Sequence, residues 1–334
     1  MSYRSTVARQ SESLADTLRA ARAELAGMDL AALDRPVTAI TGIGASFAAA
    51  VVIAAAFQAS GRRAFAVRSD DMAAGHDLAD AVIGLSHRGR SVETVAALQK
   101  LPGAARLAIT NDPKSPLAEA ADFHVRLDNG GDATPSSTGY TATLLAAGLV
   151  HDKICGAESD EWERLPAIVG EVQAAAAAKM ARVGDLFASR RAIDCVGAGA
   201  SLGTADGASL LIREAARLPA AAYDTRHYLH GPMEAMDGTT GVVIFGAGRE
   251  VALARHLEEI GCPALLVTTD ASVADGRLLT VVHVPAMAGL VAQGIVDILT
   301  AQLLAAELSD AAGLTDVKFR YKMSDTKVPN PEAA

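Results

Sequence analysis

Hydrophobic and polar residues follow helix-like and strand-like patterns in turn along the chain. Up to about residue 33, apolar residues recur at helical spacing with charged residues between them, which predicts helix. Beyond it, short apolar runs alternate with polar or Ala-rich segments compatible with helix. The predicted strands are 37–41, 63–67, 81–85, 107–110 and 123–127. Repeated strand–helix alternation predicts an α/β fold, a parallel sheet flanked by helices.

The pattern restarts in the second half of the chain. A predicted helical segment over 160–190 is followed by a strand over 192–196 that ends in Gly197-Ala198-Gly199-Ala200-Ser201. This string matches Gly42-Ile43-Gly44-Ala45-Ser46 at four of five positions, at an offset of 197 − 42 = 155 residues. We therefore predict a duplicated α/β unit of about 150 residues. The predicted segments are an N-terminal helical part (1–33), two units (34–158 and 191–310), a helical connector between them (159–190) and a tail (311–334).

Composition narrows the possible partners of the protein. Of 334 residues, 50% are hydrophobic and 21% are charged, which excludes intrinsic disorder. The net charge of −9 without a basic run disfavours nucleic acids and anionic membranes as partners. Three scattered cysteines predict neither a disulfide framework nor a metal site. The chain begins with polar residues, and its apolar stretches are expected to be too short for a membrane span. Together with the scattered cysteines, these features lead us to expect a cytoplasmic protein.

A loop after the predicted strand 81–85 is rich in hydroxyl and guanidinium groups. The segment Ser86–Thr94 places two serines, a threonine and two arginines around Gly89 at the start of a predicted helix. Hydroxyls, backbone N–H groups and guanidinium groups are donors for a phosphate dianion. Ser136-Ser137-Thr138 adds hydroxyls, although alone it is typical of a helix cap. The alternative for Ser86–Thr94 is a solvated cap with surface arginines.

The two units carry different chemical groups. Glu214 lies among apolar residues of the second unit, and the equivalent position in the first unit is Ala59. Burial raises a carboxyl pKa toward that of a general base; the alternative is a surface glutamate paired with Arg213 or Arg217. His230 precedes Gly-Pro, either as a presented imidazole or as a structural loop histidine. We therefore expect one composite site, with anion binding from the first unit and acid–base groups from the second.

These strings together resemble the sugar isomerase (SIS) family. The likeness is greatest to the isomerase half of glucosamine-6-phosphate synthase and to relatives that lack the glutaminase half. The gap between Glu214 and His230, 230 − 214 = 16 residues, also agrees. The matching strings are Gly42–Ser46, Ser86–Thr94, Ile109-Thr110-Asn111, Ser115-Pro116-Leu117, Ser137-Thr138, Gly197-Ala198-Gly199 and His230-Gly231-Pro232.

The resemblance implies a fold, a reaction and a set of site residues. The fold would be two tandem flavodoxin-like SIS domains, each a parallel sheet flanked by helices, in a homodimer with a shared active site and no cofactor. Glu214 would move a proton between C1 and C2 of a sugar phosphate, and His230 would assist ring opening across the dimer interface. Lys327, or alternatively Lys322, would form a Schiff base with the carbonyl carbon or close over the sugar. The expected phosphate-binding residues are Ser46, Ser86, His87, Arg88, Ser91 and Ser137.

Departures from the family pattern keep other functions open. Arg88 replaces a small hydroxyl residue, so either the substrate carries extra negative charge or the arginines turn outward. Leu211 stands where the synthase has a lysine, and no glutaminase segment with a cysteine nucleophile is present, so we expect isomerisation or amine release. One alternative is a regulatory protein that binds a sugar phosphate without turnover. The other is a dehydrogenase that binds nicotinamide at Gly197–Gly203.

Overall fold

The structure is a computed structural model that describes residues 2–72, 78–157, 159–314, 318–321 and 323–329. Strands and helices alternate over most of this length. The strands are β1 (Val37–Gly42), β2 (Arg63–Arg68), β3 (Ala81–Leu85), β4 (Ala105–Thr110), β5 (Phe123–Arg126), β6 (Ile193–Gly197), β7 (Ala220–Asp224), β8 (Gly241–Phe245), β9 (Ala264–Thr268) and β10 (Leu279–His283).

The helices flank and connect these strands. They are α1 (Tyr3–Val7), α2 (Gln10–Ala26), α3 (Ala45–Ala59), α4 (Ser69–Met72), α5 (Val92–Gln99), α6 (Pro116–Glu119), α7 (Thr138–Cys155), α8 (Glu161–Ala177), α9 (Met180–Phe187), α10 (Ala200–Leu211), α11 (Thr225–Tyr228), α12 (Arg249–Glu259) and α13 (Leu290–Ala311). Shorter 3-10 turns span Ala31–Leu33 and Pro232–Ala235, and a π-helical turn spans Ile212–Ala216.

The strands form two parallel five-stranded sheets. The first sheet has the order β2-β1-β3-β4-β5, and the second has the order β7-β6-β8-β9-β10. Within each sheet every pairing is parallel. Both orders are 2-1-3-4-5 in chain sequence, as in flavodoxin-like folds. The α/β fold with parallel sheets flanked by helices is confirmed.

Two predicted helical stretches are each broken in the structure. The first 33 residues form α1, α2 and a 3-10 turn rather than one helix, and Gly27 ends α2. The helical connector predicted over 160–190 consists of two helices, because α8 ends at Ala177 and α9 begins at Met180. A pattern of apolar spacing identifies the buried face of a helix but locates breaks in it poorly.

Helices α3 and α10, which follow the two glycine loops, pack directly against each other. A Cβ on Gly203 would lie 2.6 Å from the backbone oxygen of Ala48 and 2.7 Å from the Val52 side chain. Only glycine allows this approach, so the small residues of both loops bring the two halves together. Gly203 thus serves helix packing, which removes the main support for a dinucleotide loop at Gly197–Gly203.

Helix α13 is longer and more apolar than the sequence analysis expected. It has 22 residues, and its most apolar stretch has a mean hydropathy of 1.4, which meets the length and composition of a membrane span. Gly294 and Asp297 interrupt the apolar run without lowering its mean enough to exclude it. However, 78% of that stretch is buried inside the protein, as is usual for a core helix.

Asp297 on α13 should make stability depend on pH. Its carboxylate accepts a hydrogen bond from Gln293 Nε2 at 2.8 Å, and burial raises its pKa to about 7. The folded state therefore holds a proton that the unfolded chain releases near pH 4, so the free energy of unfolding falls as pH rises from about 4 to 7. We expect D297N to reduce this slope by on the order of 1 kcal/mol per pH unit. Urea unfolding of both proteins at pH 5, 6, 7 and 8 measures the slope of the unfolding free energy against pH. Equal slopes in the wild type and D297N would contradict the raised pKa of Asp297.

Candidate active site

The predicted site begins where β1 and β3 end side by side. From β1 the chain crosses to β2 on one side, and β3 lies on the other side. Crevices at such a switch point, at the carboxyl ends of the strands, are the usual ligand sites of open α/β sheets. The loops Gly42–Ser46 and Ser86–Ser91 leave the sheet at this point. Ser46 is half-buried at the start of α3.

The loop after β3 is held in a tight turn. Gly89 has a φ of +62°, and a Cβ there would lie 2.0 Å from Ser115 Oγ, so only glycine fits. The backbone N–H of Leu117 donates to the carbonyl of Gly89 at 3.0 Å. The turn brings Ser86 Oγ to 3.2 Å from Ser91 Oγ, with both residues buried. The two hydroxyls lie within hydrogen-bond distance of each other, and their role in binding phosphate stays a prediction.

The C-terminal tail lies on this loop. Lys327 forms an antiparallel bridge with Ser91, and its Nζ donates to Ser91 Oγ at 3.0 Å. Burial lowers the pKa of Lys327, Glu93 opposes that shift and Arg88 adds to it. An ammonium group therefore joins the paired hydroxyls. Lys322, the alternative tail lysine, lies outside the described residues.

The two arginines of the loop differ in their contacts. Arg88 is exposed, and its charge contributes to the lowered pKa of Lys327. Arg90 Nε donates to the carbonyl of Val328 at 3.1 Å, and a second Arg90 nitrogen donates to the carbonyl of Pro329. Arg90 therefore turns away from the hydroxyl pair and holds the tail.

Two other predicted phosphate ligands have different partners. Ser137 is fully buried, and its hydroxyl donates to Thr6 Oγ1 at 2.9 Å and to Asp132 Oδ1 at 3.3 Å. His87 Nε2 lies 2.9 Å from Asn129 Oδ1. The structure does not place either side chain beside the Ser86–Ser91 pair. Both instead hold the loop that precedes α7.

Glu214 lies in a narrow cleft formed by both halves of the chain. It sits in the π-helical turn after α10, half-buried, and burial raises the pKa of its carboxyl to about 7. Within the described residues it has no hydrogen-bond or ion-pair partner: Arg213 donates to the carbonyl of Ala220 and Arg217 to that of Lys318. The cleft is lined by Ala45, Ser136, Tyr140, Gly207, Leu210, Leu211, Glu214 and Ile298.

The Glu214 cleft adjoins the phosphate loop through the segment before α7. Asp132 accepts hydrogen bonds from Ser136 Oγ at 2.6 Å and from the N–H of Gly139 at 2.9 Å. A Cβ on Gly139 would lie 2.8 Å from His87 Cδ2. His87 follows Ser86, and Ser136 lines the cleft with Glu214. These contacts link the loop after β3 to the Glu214 cleft through the segment before α7.

His230 is placed apart from this cleft within one chain. It follows α11, its side chain is exposed, and its backbone N–H donates to the carbonyl of His227 at 2.9 Å. It does not line the cleft. Its predicted role across a dimer interface stays a prediction.

Sequence reasoning missed two residues of this site. Asp132 organises the segment before α7, and Tyr140 lines the Glu214 cleft. An acidic residue shortly before a Ser-Ser pair in a glycine-rich loop is a usable sign of a helix-capping carboxylate. No local pattern marks Tyr140, which reads as one more buried position of an apolar helix.

The fold and the sequence strings match known proteins. The sequence model of the SIS domain family matches residues 38–150, which include β1 to β5 and most of α7. The first half of the chain is therefore similar to SIS domains.

Two curated relatives extend the likeness beyond the matched SIS domain. Both are named glutamine–fructose-6-phosphate aminotransferase [isomerizing]. The one from Pseudomonas putida is 28% identical over 231 residues, 63% of this chain and 38% of its own length. The one from Sulfurisphaera tokodaii is 25% identical over 180 residues, 53% of this chain and 31% of its own length. The chain thus spans about a third of the length of the curated relatives it matches.

Solved structures that resemble this protein cover nearly its whole length. The C-terminal domain of glucosamine-fructose-6-phosphate aminotransferase from Francisella tularensis has a TM-score of 0.83 at 18% identity, over 94% of this chain and 97% of that chain. Glucosamine-6-phosphate deaminase from Thermotoga maritima scores 0.75 at 19% identity, over 94% and 98%. Tagatose-6-phosphate ketose/aldose isomerase from Escherichia coli scores 0.77 at 17%, over 96% of each. At these identities the likeness shows the fold.

Metal binding has no candidate in the part of the protein that the structure describes. No group of three or more His, Cys, Asp or Glu side chains there is placed to hold an ion.

Proposed function

We propose that this protein is a sugar-phosphate isomerase or deaminase in which Glu214 moves a proton between C1 and C2. The observation that carries the proposal is an unpaired, half-buried carboxyl with a raised pKa, in a cleft linked by packed residues to two adjacent hydroxyls and an ammonium group. The hydroxyls and the ammonium suit a phosphate, and the carboxyl suits a proton transfer.

The phosphate would be held at Ser86, Ser91 and Lys327. The two hydroxyls and the ammonium supply donors from one point, while Arg90 donates to carbonyls of the tail. Ser46, at the start of α3, is also retained as a phosphate ligand in this proposal. Binding a group remote from C1 and C2 would position those carbons for reaction.

Glu214 would act as the general base and then as the acid. A carboxyl whose pKa lies near 7 is ionised in part of the population at neutral pH, and it binds a proton strongly enough to return it. General acid–base catalysis works best when the pKa lies near the working pH. The carboxylate would take the proton from one carbon and deliver it to its neighbour through an enediol or enolamine.

The identity of the leaving group is limited by the wall of the cleft. Leu211 lines it where the resemblance expects a lysine. The names of the structural neighbours include a glucosamine-6-phosphate deaminase and a tagatose-6-phosphate isomerase. We therefore favour aldose–ketose isomerisation or amine release over transfer of nitrogen from glutamine.

The proposal includes the organisation of the whole protein. Residues 191–310 would form a second SIS domain in tandem with that of 34–158, since the two sheets share one strand order and the two glycine loops match. Two chains would form a homodimer in which His230 reaches the neighbouring site and assists ring opening. The three unpaired cysteines agree with the reducing cytoplasm as its location.

Turnover of a panel of sugar phosphates tests this function. Purified protein is incubated with fructose 6-phosphate, glucose 6-phosphate, tagatose 6-phosphate and glucosamine 6-phosphate, and ketose formation and ammonia release are both measured. We expect turnover of at least one. Tight binding of a sugar phosphate without turnover of any would instead support the regulatory alternative, and the absence of both would contradict the site.

Ser91→Ala should weaken phosphate binding, because Ser91 contacts both Ser86 and Lys327. A hydrogen bond to a charged group contributes about 1.5–3 kcal/mol, so we expect glucitol 6-phosphate to bind about 10- to 100-fold more weakly. Isothermal titration calorimetry measures this. The control is Ser272→Ala, an exposed serine bonded to Asp270, which should leave affinity unchanged. Equal affinities of all three proteins would remove Ser91 from the site.

A further inference from the structure

Tyr140 presents a buried hydroxyl without a partner to the Glu214 cleft. The residue is 5% exposed, and its hydroxyl has no hydrogen-bond partner in the described part of the chain. Buried phenolic hydroxyls in folded proteins usually do have one. An unpaired hydroxyl in a cleft that also holds an unpaired carboxyl indicates a place for a ligand atom.

The position of the hydroxyl is fixed by its neighbours. Tyr140 lies on α7, and a Cβ on Gly207 would lie 3.2 Å from its hydroxyl oxygen. Gly207 lines the same cleft as Glu214. The absence of a side chain at Gly207 therefore leaves room for the hydroxyl end of the ring, between α7 and α10.

Other hydroxyls near the Glu214 carboxyl already donate hydrogen bonds to protein atoms. Ser136 Oγ donates to Asp132 Oδ2 at 2.6 Å, and the hydroxyl of Tyr3 donates to the carbonyl of Gln302 at 3.3 Å. Among the described hydroxyls that line the cleft, that of Tyr140 is therefore the one whose proton is not already donated to another protein atom. Burial raises the pKa of Tyr140, and the negative charge of Asp206 adds to the shift. The phenol therefore keeps its proton at neutral pH.

We propose that Tyr140 is a catalytic residue, the hydrogen-bond donor to the substrate oxygen that becomes negative during proton transfer. The inference rests on the proposed function and adds a hydrogen-bond donor from the cleft that Glu214 also lines. It assigns the cleft to a substrate whose reacting centre carries a carbonyl and a neighbouring hydroxyl.

For an aldose phosphate, the proposed reaction begins with loss of the proton on C2. The Glu214 carboxylate takes the proton from C2, and the electrons of that C–H bond form the C1=C2 double bond. The carbonyl π electrons move to the C1 oxygen, which becomes an enediolate oxygen and accepts the Tyr140 hydrogen bond. Proton transfer between the two substrate oxygens and return of the Glu214 proton to C1 give the ketose. A preorganised donor of this kind in a water-poor site typically contributes 10²–10³-fold to kcat.

Tyr140→Phe tests the inference because it removes the hydroxyl and keeps the ring. The control is Thr17→Val, which removes another buried, unpartnered hydroxyl on α2, outside the cleft. The measurements are kcat on the sugar phosphate that the wild type turns over, and affinity for two probes. One probe is glucitol 6-phosphate, which has no carbonyl; the other is a sugar-phosphate hydroxamate, whose ionised planar group mimics the enediolate.

We expect Y140F to lower kcat by about 10²–10³-fold and to weaken hydroxamate binding by a similar order, with affinity for glucitol 6-phosphate within threefold of wild type. T17V should match the wild type in all three. Wild-type kcat in Y140F, or equal weakening of both probes, would overturn the catalytic role. If Y140F does not fold, difluorotyrosine at position 140, a stronger acid, should change kcat, and an unchanged value would count against the inference. A wild type that turns over no sugar phosphate would overturn the proposed function, and this inference with it.

Discussion

Glu214→Gln should lower kcat by about 10²–10⁴-fold, the usual contribution of a general base. Glutamine keeps the size and the polar head of the side chain but cannot take a proton. The residues proposed to bind the phosphate lie on another loop, so E214Q should still bind glucitol 6-phosphate with an affinity within threefold of wild type. The loss should therefore appear in kcat rather than in affinity.

The pH profile separates this role from a structural one. In the wild type, kcat/KM should rise with pH through about 7, because Glu214 acts as a base only after it loses its proton. The matched control is D297N, which removes another buried carboxyl whose pKa lies near 7 but which does not line the cleft. D297N should retain the rise and the wild-type kcat. Full turnover by E214Q would eliminate Glu214 as the base.

Lys327→Met should raise KM by about 10- to 100-fold with a much smaller change in kcat. The ammonium group is bonded to Ser91 and fixed by the bridge between tail and loop. Its loss removes one charge-assisted hydrogen bond to the phosphate, worth about 1.5–3 kcal/mol. Methionine fills similar volume without the charge, so the tail itself should stay in place.

Two controls define what Lys327 does. Lys114→Met removes an exposed lysine from the loop after β4 and should leave KM unchanged. Treatment with borohydride in the presence of substrate tests the other role that the resemblance implies, a Schiff base at the carbonyl carbon. We expect no substrate-dependent mass increase at Lys327. A trapped adduct would show that Lys327 reacts with the carbonyl carbon, and would contradict its proposed role in binding the phosphate.

The sheet could be predicted from sequence better than its edges and helices. Apolar runs such as 81–85 fix central strands because both faces of a parallel sheet are buried. Strand β7 (Ala220–Asp224) could not be seen in this way, since three of its five residues are alanine, which has little strand preference. Its place is set by pairing with β6. The 22 residues of α13 likewise gave no helical periodicity because nearly all of its surface is buried.

The site shows a similar division between local and long-range effects. Ser86, Ser91 and Gly89 lie within one turn, so their local geometry follows from the sequence around them. The hydroxyl of Ser137 is taken by Thr6, which is 131 residues away in the chain, and no local pattern could indicate that. Glu214 was recognisable from its apolar neighbours, but the absence of an ion pair with Arg213 or Arg217 depends on where the chain folds next.

The crystal structure of the protein with glucitol 6-phosphate bound tests the central claim most directly. One ligand should have its phosphate within hydrogen-bond distance of Ser86 Oγ and Ser91 Oγ, and its C1 or C2 within reach of the Glu214 carboxylate. The carboxylate can come from the same chain or from a neighbouring one. A phosphate bound elsewhere, or a Glu214 carboxylate beyond contact with the ligand in every subunit, would contradict a site shared by the two halves.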